Sequence, residues 1–160
     1  MFTYNRTEDY IQQFLHSIYI TEPHQLTIRY ITKIIKLPVR FWEFTSEVVY
    51  SKGKYIMFLE ETAPLQKQWQ DFGHELCHVL WHVGRQEYLP NDFLKPQEWQ
   101  ANHFAYHFCV PTFMLEQIRN PNVNEIMYLF NVDRQFATRR LEMYQSKFNY
   151  IGGYEYARSY

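Results

Sequence analysis

Cysteine is scarce in this chain: two residues in 160, too few for a disulfide framework. Neither sign of charge is in excess. Sixteen Lys and Arg stand against 17 Asp and Glu, a net charge of -1, whereas non-specific nucleic-acid binding needs a surplus of positive charge. No apolar run approaches the roughly 18 residues of a membrane-spanning helix. The start, MFTYNRTEDYIQQF, has neither the basic cluster nor the apolar stretch of a secretory leader. Repeats, low-complexity segments and charge runs are also missing. These absences predict a soluble, cytoplasmic protein with no membrane partner and no direct nucleic-acid partner.

Hydrophobic residues make up 46% of the chain and aromatic residues 19%, enough for a ring-rich core. The length suits one domain, read as residues 1–148. A flexible tail is expected over 149–160, where NYIGGYEYARSY has a glycine pair and no helical stripe. Tyr10, Ile11, Phe14, Leu15, Ile18 and Tyr19 recur at helical spacing and predict a helix over 7–19 with Thr7 as N-cap. A second helix starts at Thr21-Glu22-Pro23 and stops before Pro38. The period then becomes that of strands at Val39–Phe44, Glu47–Tyr50 and Tyr55–Leu59, with Ser51-Lys52-Gly53-Lys54 connecting a hairpin. Helices return over 62–83, with Thr62 as cap and Gly84 as stop, and again from Pro96 to just before Pro111. A polar loop over 85–95 separates them. Short helices over 112–118 and 122–130, and a last helix capped by Asp133, complete the pattern. The predicted fold class is α+β, mainly helical, with a small antiparallel sheet of about three strands.

The chemistry is concentrated in Asp71-Phe72-Gly73-His74-Glu75-Leu76-Cys77-His78, which contains H-E-x-x-H. Residues four apart on a helix sit one turn apart on nearly the same face, so both imidazoles point the same way. Neutral imidazole nitrogens are good Zn²⁺ ligands. Glu75, next to the first histidine, is placed to act as a base on a water without binding the metal itself. The competing reading is a polar helix with two solvated or core-satisfied histidines. Phe72, Leu76, Val79 and Leu80 weigh against it, because a helix packed inward leaves two His and a Glu unpaired unless a cation satisfies them.

A catalytic zinc needs a third protein ligand. His82 continues the series, but three successive turns of one straight helix spread their side chains along a line and do not converge. Glu98 lies 20 residues after His78 on the next helix, a gap that allows an antiparallel return. His103, which pairs with His107 at i, i+4, is the next candidate, and Asp92 in the loop is a poor one.

HELCH followed by Glu98-Trp99-Gln100-Ala101-Asn102-His103-Phe104-Ala105 and then Val110-Pro111 resembles the ImmA/IrrE family of bacterial metallopeptidases. That family shows H-E-x-x-H, then E-x-x-A-[ND]-x-F-A, then a short apolar run ending in Pro. Phe130-Asn131-Val132-Asp133 with Arg140-Leu141 is similar to its closing helix. The resemblance covers roughly residues 22–145 and is sharpest over 72–111. It implies a zincin-like domain with one Zn²⁺, or another divalent transition metal, per chain. His74, His78 and Glu98 would be the ligands and Glu75 the catalytic acid/base. Ala101 would allow close helix packing and Phe104 would be core. The sequence departs from the family at Cys77, where Gly is common. Cys77 is read either as a small buried hydrophobe or as an oxidation-sensitive thiol beside the site.

The resemblance further implies a peptide-bond hydrolase that cleaves a helix-turn-helix repressor, an antirepressor of a prophage or mobile element. His103, His107 and Arg140 are candidate oxyanion or substrate contacts. The strand Tyr55–Leu59 is expected to offer an edge to an extended substrate. Three other readings compete: a non-catalytic regulator on the same fold that binds a repressor or other protein, a structural metal site drawing on Cys77 and Cys109, and a nucleic-acid-binding protein.

Overall fold

A computed structural model describes residues 5–81 and 91–157, with side chains described over 5–81 and 95–148. Helix α1 spans Arg6–Ser17. Its cap is Asn5, not Thr7: Asn5 Oδ1 accepts from the Glu8 N–H at 2.9 Å, and Glu8 Oε2 accepts from the Asn5 N–H at 2.8 Å. This reciprocal pair satisfies two of the first-turn donors at once, an arrangement a threonine inside the helix cannot reach. The second predicted helix is divided. Pro23–Gln25 form one 3-10 turn, and α2 runs over Ile28–Ile35 with Thr27 as its cap. Leu26, at ψ 83, leaves the helical region between them.

Strands β1 (Val39–Trp42), β2 (Glu47–Ser51) and β3 (Lys54–Glu60) form one sheet in the order β1-β3-β2. β2 and β3 are the predicted antiparallel hairpin. Its loop is only Lys52-Gly53, both at positive φ (51° and 78°), the twist a two-residue hairpin needs and the reason a glycine stands there. The wholly antiparallel expectation is corrected on the other side: β1 pairs β3 in parallel, Val39 opposite Met57 and Trp42 opposite Glu60. β3 is the longest and most apolar strand. With Met57 and Leu59 fully buried it takes the centre, and β1, with Arg40 and Phe41 exposed, is left at the edge. β3 is therefore the central strand, paired on both sides at Met57 and Phe58, rather than the edge strand expected of Tyr55–Leu59.

Helix α3 covers Leu65–Trp81. Thr62 does not cap it, because α3 begins three residues further on, and its hydroxyl donates to Glu60 Oε1. The predicted stop at Gly84 lies outside the described residues. Helix α4 covers Asn91–Cys109 and so begins before Pro96, which lies inside it. The backbone of Asp92 is helical rather than part of a loop. Helices α5 (Thr112–Leu115), α6 (Val123–Phe130) and α7 (Arg134–Ala157) follow. Asn122 caps α6, and Asp133 caps α7 by accepting from the Phe136 N–H at 2.8 Å. α7 carries helical backbone through Ala157, and so runs into the stretch 149–160 that was expected to form a flexible tail.

The core lies between the sheet and the helices, with Leu15, Phe72, Leu76, Ala101, Phe104 and Phe108 at zero exposure. α3 and α4 pack antiparallel and closely. A Cβ on Gly73 would stand 2.8 Å from Cys109 Sγ and 3.5 Å from the Ala105 Cα, so the glycine lets α4 approach to backbone distance. No helix among the described residues is long and apolar enough to cross a membrane.

Candidate metal centre

The close approach of α3 and α4 brings two histidines from one helix against a carboxylate from the other. His74 Nε2 lies 3.1 Å from Glu98 Oε2, His78 Nε2 lies 3.2 Å from Glu98 Oε1, and the two Nε2 atoms are 3.3 Å apart. His78 is buried, His74 is partly buried and Glu98 is about half exposed. The two rings meet edge to face, 5.1 Å between centroids. Among the described residues this is the one group of three or more potential ligands whose donor atoms converge.

Nε2 is the inward nitrogen of both rings. On the outer side of His74, the Asn102 amide oxygen sits 2.9 Å from Nδ1 and accepts a proton carried there, which in the neutral ring leaves a lone pair on Nε2. With both rings neutral, two nitrogen lone pairs and a carboxylate crowd together, an arrangement that a cation between them satisfies. The spacing suits zinc: ligands about 2.0–2.1 Å from a tetrahedral ion are roughly 3.3 Å from each other. Two His and one Glu, with the His74 tautomer fixed by an outer hydrogen bond, are also the donor chemistry expected of zinc.

Glu75 is not part of that triangle. It is 9% exposed and lines the same cavity as His74 and Glu98. Burial, and then the negative charges of Glu98 and Asp71, push its carboxyl up to about 8, while a hydrogen bond from the Val48 backbone N–H works the other way. Asp71, one turn earlier on α3, accepts from the Ser46 hydroxyl at 2.9 Å and pairs with Lys67. Gln70, on the same stretch, ties α3 to the start of α7: its amide nitrogen donates to Asp133 Oδ2 and its oxygen accepts from the Asp133 N–H, both at 2.9 Å.

The cavity, about 920 Å³, runs past the triangle between α3, the β1–β2 connection, α4 and α7. His103 is on its wall, its ring stacked flat against Trp99. Two other predicted contacts are elsewhere and are corrected here. Arg140 is fully buried: its Nε donates to the carbonyls of Tyr106 and Val110 and its Nη2 to Thr112 Oγ1. His107 is buried beside Glu8, and burial followed by the charge of Arg140 depresses its ring to about 2. It is neutral, so its 3.6 Å approach to Glu8 is not an ion pair. Glu8 instead accepts from Thr112 Oγ1 at 2.6 Å and from Lys147. Cys77 is fully buried, and burial is the first cause that pushes its thiol up to about 12. That is the condition of a small hydrophobe rather than of a reactive thiolate. His82 and the side chain of Asp92 lie outside the described residues.

Sequence reasoning assigned no role to Asn102 or Gly73. Asn102 was within reach of it, standing one turn after Glu98 on the same face. Gly73 could not be recognised without knowing which residues oppose it.

Comparison with known proteins gives a consistent set. The sequence pattern of the IrrE N-terminal-like domain, Peptidase M78, matches residues 33–142. The XkdA protein of the phage-like element PBSX of Bacillus subtilis is 39% identical over 145 residues, covering 88% of this chain and 73% of that protein. YqaB of Bacillus subtilis, an uncharacterized protein, is 34% identical over 151 residues, covering 91% of this chain and 88% of its own length. Among solved structures, a Mycobacterium tuberculosis transcriptional regulator superposes with a TM-score of 0.61 at 14% identity. That match covers 84% of this chain and 46% of the regulator, and it bears on the fold alone.

Proposed function

Because the chain belongs to the Peptidase M78 family of IrrE N-terminal-like domains, we propose that it is a zinc-dependent endopeptidase. His74, His78 and Glu98 hold the ion and Glu75 is the catalytic acid/base. The single observation that carries this reading is the convergence of two imidazole nitrogens and one carboxylate, each Nε2 within 3.2 Å of a different Glu98 oxygen and the two Nε2 atoms 3.3 Å apart, with a buried fourth residue, Glu75, beside them and outside the ligand set.

A zinc ion held there supplies Lewis acidity, which makes water a nucleophile near neutral pH and polarises the carbonyl of the bond to be cut. Glu75 takes the proton of the attacking water on its carboxylate and returns it to the leaving nitrogen. A divalent cation beside Glu98 offsets the second of the causes that raise the Glu75 carboxyl, which favours the ionised form needed of a base. Asn102 holds the His74 ring in the tautomer that keeps Nε2 free. His103, on the cavity wall, is placed to donate to the oxygen that gains charge.

The substrate in this reading is a helix-turn-helix repressor, and the chain acts as the antirepressor of a prophage or mobile element in the cytoplasm. The phage-like element that carries XkdA supports that setting. The reading expects a helix-turn-helix repressor encoded near this chain, and the test is coexpression with it, followed by immunoblotting of the repressor. Wild-type protein should cut it. Glu75→Gln, which keeps the shape and removes the base, should slow cutting by about 10²–10⁴-fold. A repressor left whole by the zinc-loaded wild type overturns the assignment. Equal cutting by both proteins overturns the role of Glu75.

A further inference from the structure

The cavity has two unlike walls. One, from α3 and the β1–β2 connection, is polar and already tied together: Ser46, Lys67 and Asp71 bond to one another. The other, from α4 and α7, carries Glu98, Asn102 and His103 beside the metal centre and turns apolar beyond them. Tyr106 and Phe136 pack ring against ring at 4.4 Å, and Met143 lies beyond them. Tyr106 and Met143 remain only partly buried although they are among the larger side chains of this wall. The charge at its rim, Arg139, is engaged with Glu142 at 3.2 Å. A wall of this composition gains free energy by covering apolar area and offers little to a charged group.

We propose that this α4–α7 wall is a specificity pocket that takes a bulky apolar side chain, aromatic or long aliphatic, next to the bond being cut. The proposal rests on the peptidase reading above. Its location follows from helix geometry. Tyr106 stands one turn, about 6 Å of helix rise, beyond Asn102, which touches His74, and two turns beyond Glu98, and all four residues line the one cavity. Neighbouring residues of an extended peptide are about 3.8 Å apart at Cα, so a side chain adjacent to the scissile bond reaches it. The pocket is also held in shape. The paired Gln70–Asp133 bonds fix the start of α7, and Arg140 binds the Tyr106 carbonyl from the next turns of α7. Phe136 thus packs on Tyr106, and Met143 lines the same cavity, from a helix docked at two points. Met143 is the adaptable member, because an unbranched thioether accommodates rings and aliphatic chains alike.

The test uses zinc-loaded full-length protein and three probes measured by titration calorimetry: acetohydroxamate, which reports the metal centre alone, and the hydroxamates of N-acetyl-phenylalanine and N-acetyl-aspartate. The phenylalanine probe should bind at least about tenfold tighter than acetohydroxamate, and the aspartate probe should not. Met143→Glu, a change between two good helix formers, should bring the ratio of phenylalanine probe to acetohydroxamate close to one. If acetohydroxamate binds and the phenylalanine probe binds no better, the pocket is overturned while the metal centre stands. An unchanged ratio in Met143→Glu overturns the placement of the pocket. If no hydroxamate binds, the metal centre falls and the pocket falls with it.

Discussion

Two neighbouring helices each carry a pair of histidines four residues apart, His74 and His78 on α3, His103 and His107 on α4. The ring geometry of the two pairs is nearly the same: 5.1 Å and 66° for the first, 4.6 Å and 62° for the second. Their surroundings are opposite. The first pair turns its nitrogens onto a half-exposed carboxylate, Glu98, and three acceptors crowd one point at the edge of a cavity. The second pair runs from a stacked tryptophan at the cavity wall into a closed knot of Glu8, Thr112, Arg140 and Lys147. There the carboxylate is already claimed by cationic and hydroxyl donors and is not free to join the ring nitrogens of His107 around an ion. Residue type and spacing make both pairs candidates. What separates them is whether the opposing carboxylate has other partners.

The largest expected effect comes from opening the knot. Arg140→Met should cost about 3–5 kcal/mol in urea unfolding, because the Tyr106 and Val110 carbonyls and Thr112 lose a buried charged donor. Zinc affinity measured on the protein that remains folded should be little changed. A loss of zinc binding out of proportion to the loss of stability would show that the two regions are not separate. Next in size, Asn102→Ala removes the acceptor that fixes the His74 tautomer. Zinc affinity in a competitive chelator titration should fall by roughly 10–100-fold, whereas His107→Phe should leave it as it is. Equal losses in the two variants would erase the distinction between the histidine pairs.

The smallest effect is in pH dependence. His107 is held neutral in the folded chain, its ring depressed to about 2 by burial and then by Arg140, His103 and Lys147. Below its ordinary value of 6.5 the unfolded chain takes up a proton that the folded chain refuses, so stability falls as pH drops from there. The slope is at most about 1.4 kcal/mol per pH unit. Glu8 adds to this at lower pH. Burial raises its carboxyl, but donors from Lys147, Thr112 and Asn5 outweigh that and leave it below its ordinary 4.5. Its contribution is present above 4.5 and is lost as pH falls through the lowered value. Urea unfolding at pH 6.5 and 5 should therefore show wild type losing more stability than His107→Phe, with both losing more below 4.5. Parallel curves for the two proteins between 6.5 and 5 would show that His107 takes up its proton in the folded state.

Much of this was legible beforehand because it is local. H-E-x-x-H on an apolar helix, and a carboxylate on the next helix, follow from spacing and periodicity. The structure brings those side chains together. Asn122 and Asp133 cap helices because their short oxygens reach the first-turn N–H groups. What escaped depends on distant partners. The parallel pairing of β1 with β3 is decided by which strand wins the centre of the sheet, and a reading in chain order places consecutive strands side by side. Arg140 resembled a substrate contact because a charge in a closing helix is noticeable in a sequence. Its three acceptors, on Tyr106, Val110 and Thr112, lie 28–34 residues away. Pro96 looked like a helix start, but α4 includes it after five residues, at a position where the sequence offers no competing cap.

On the proposed reading of His74, His78 and Glu98 as ligands, Gly73 has a consequence for which ion they would prefer. Both imidazoles ride on α3, so the 3.3 Å edge between them is set within one helix. The two edges that end on Glu98 cross from α3 to α4 and are gauged by how nearly the two backbones touch. A single methyl group at residue 73, meeting Cys109 Sγ at 2.8 Å, would act as a shim: it lengthens those two edges and spares the third. The bite of the site, and so the ionic radius it grips best, is calibrated by a hydrogen atom on the residue just before the first ligand.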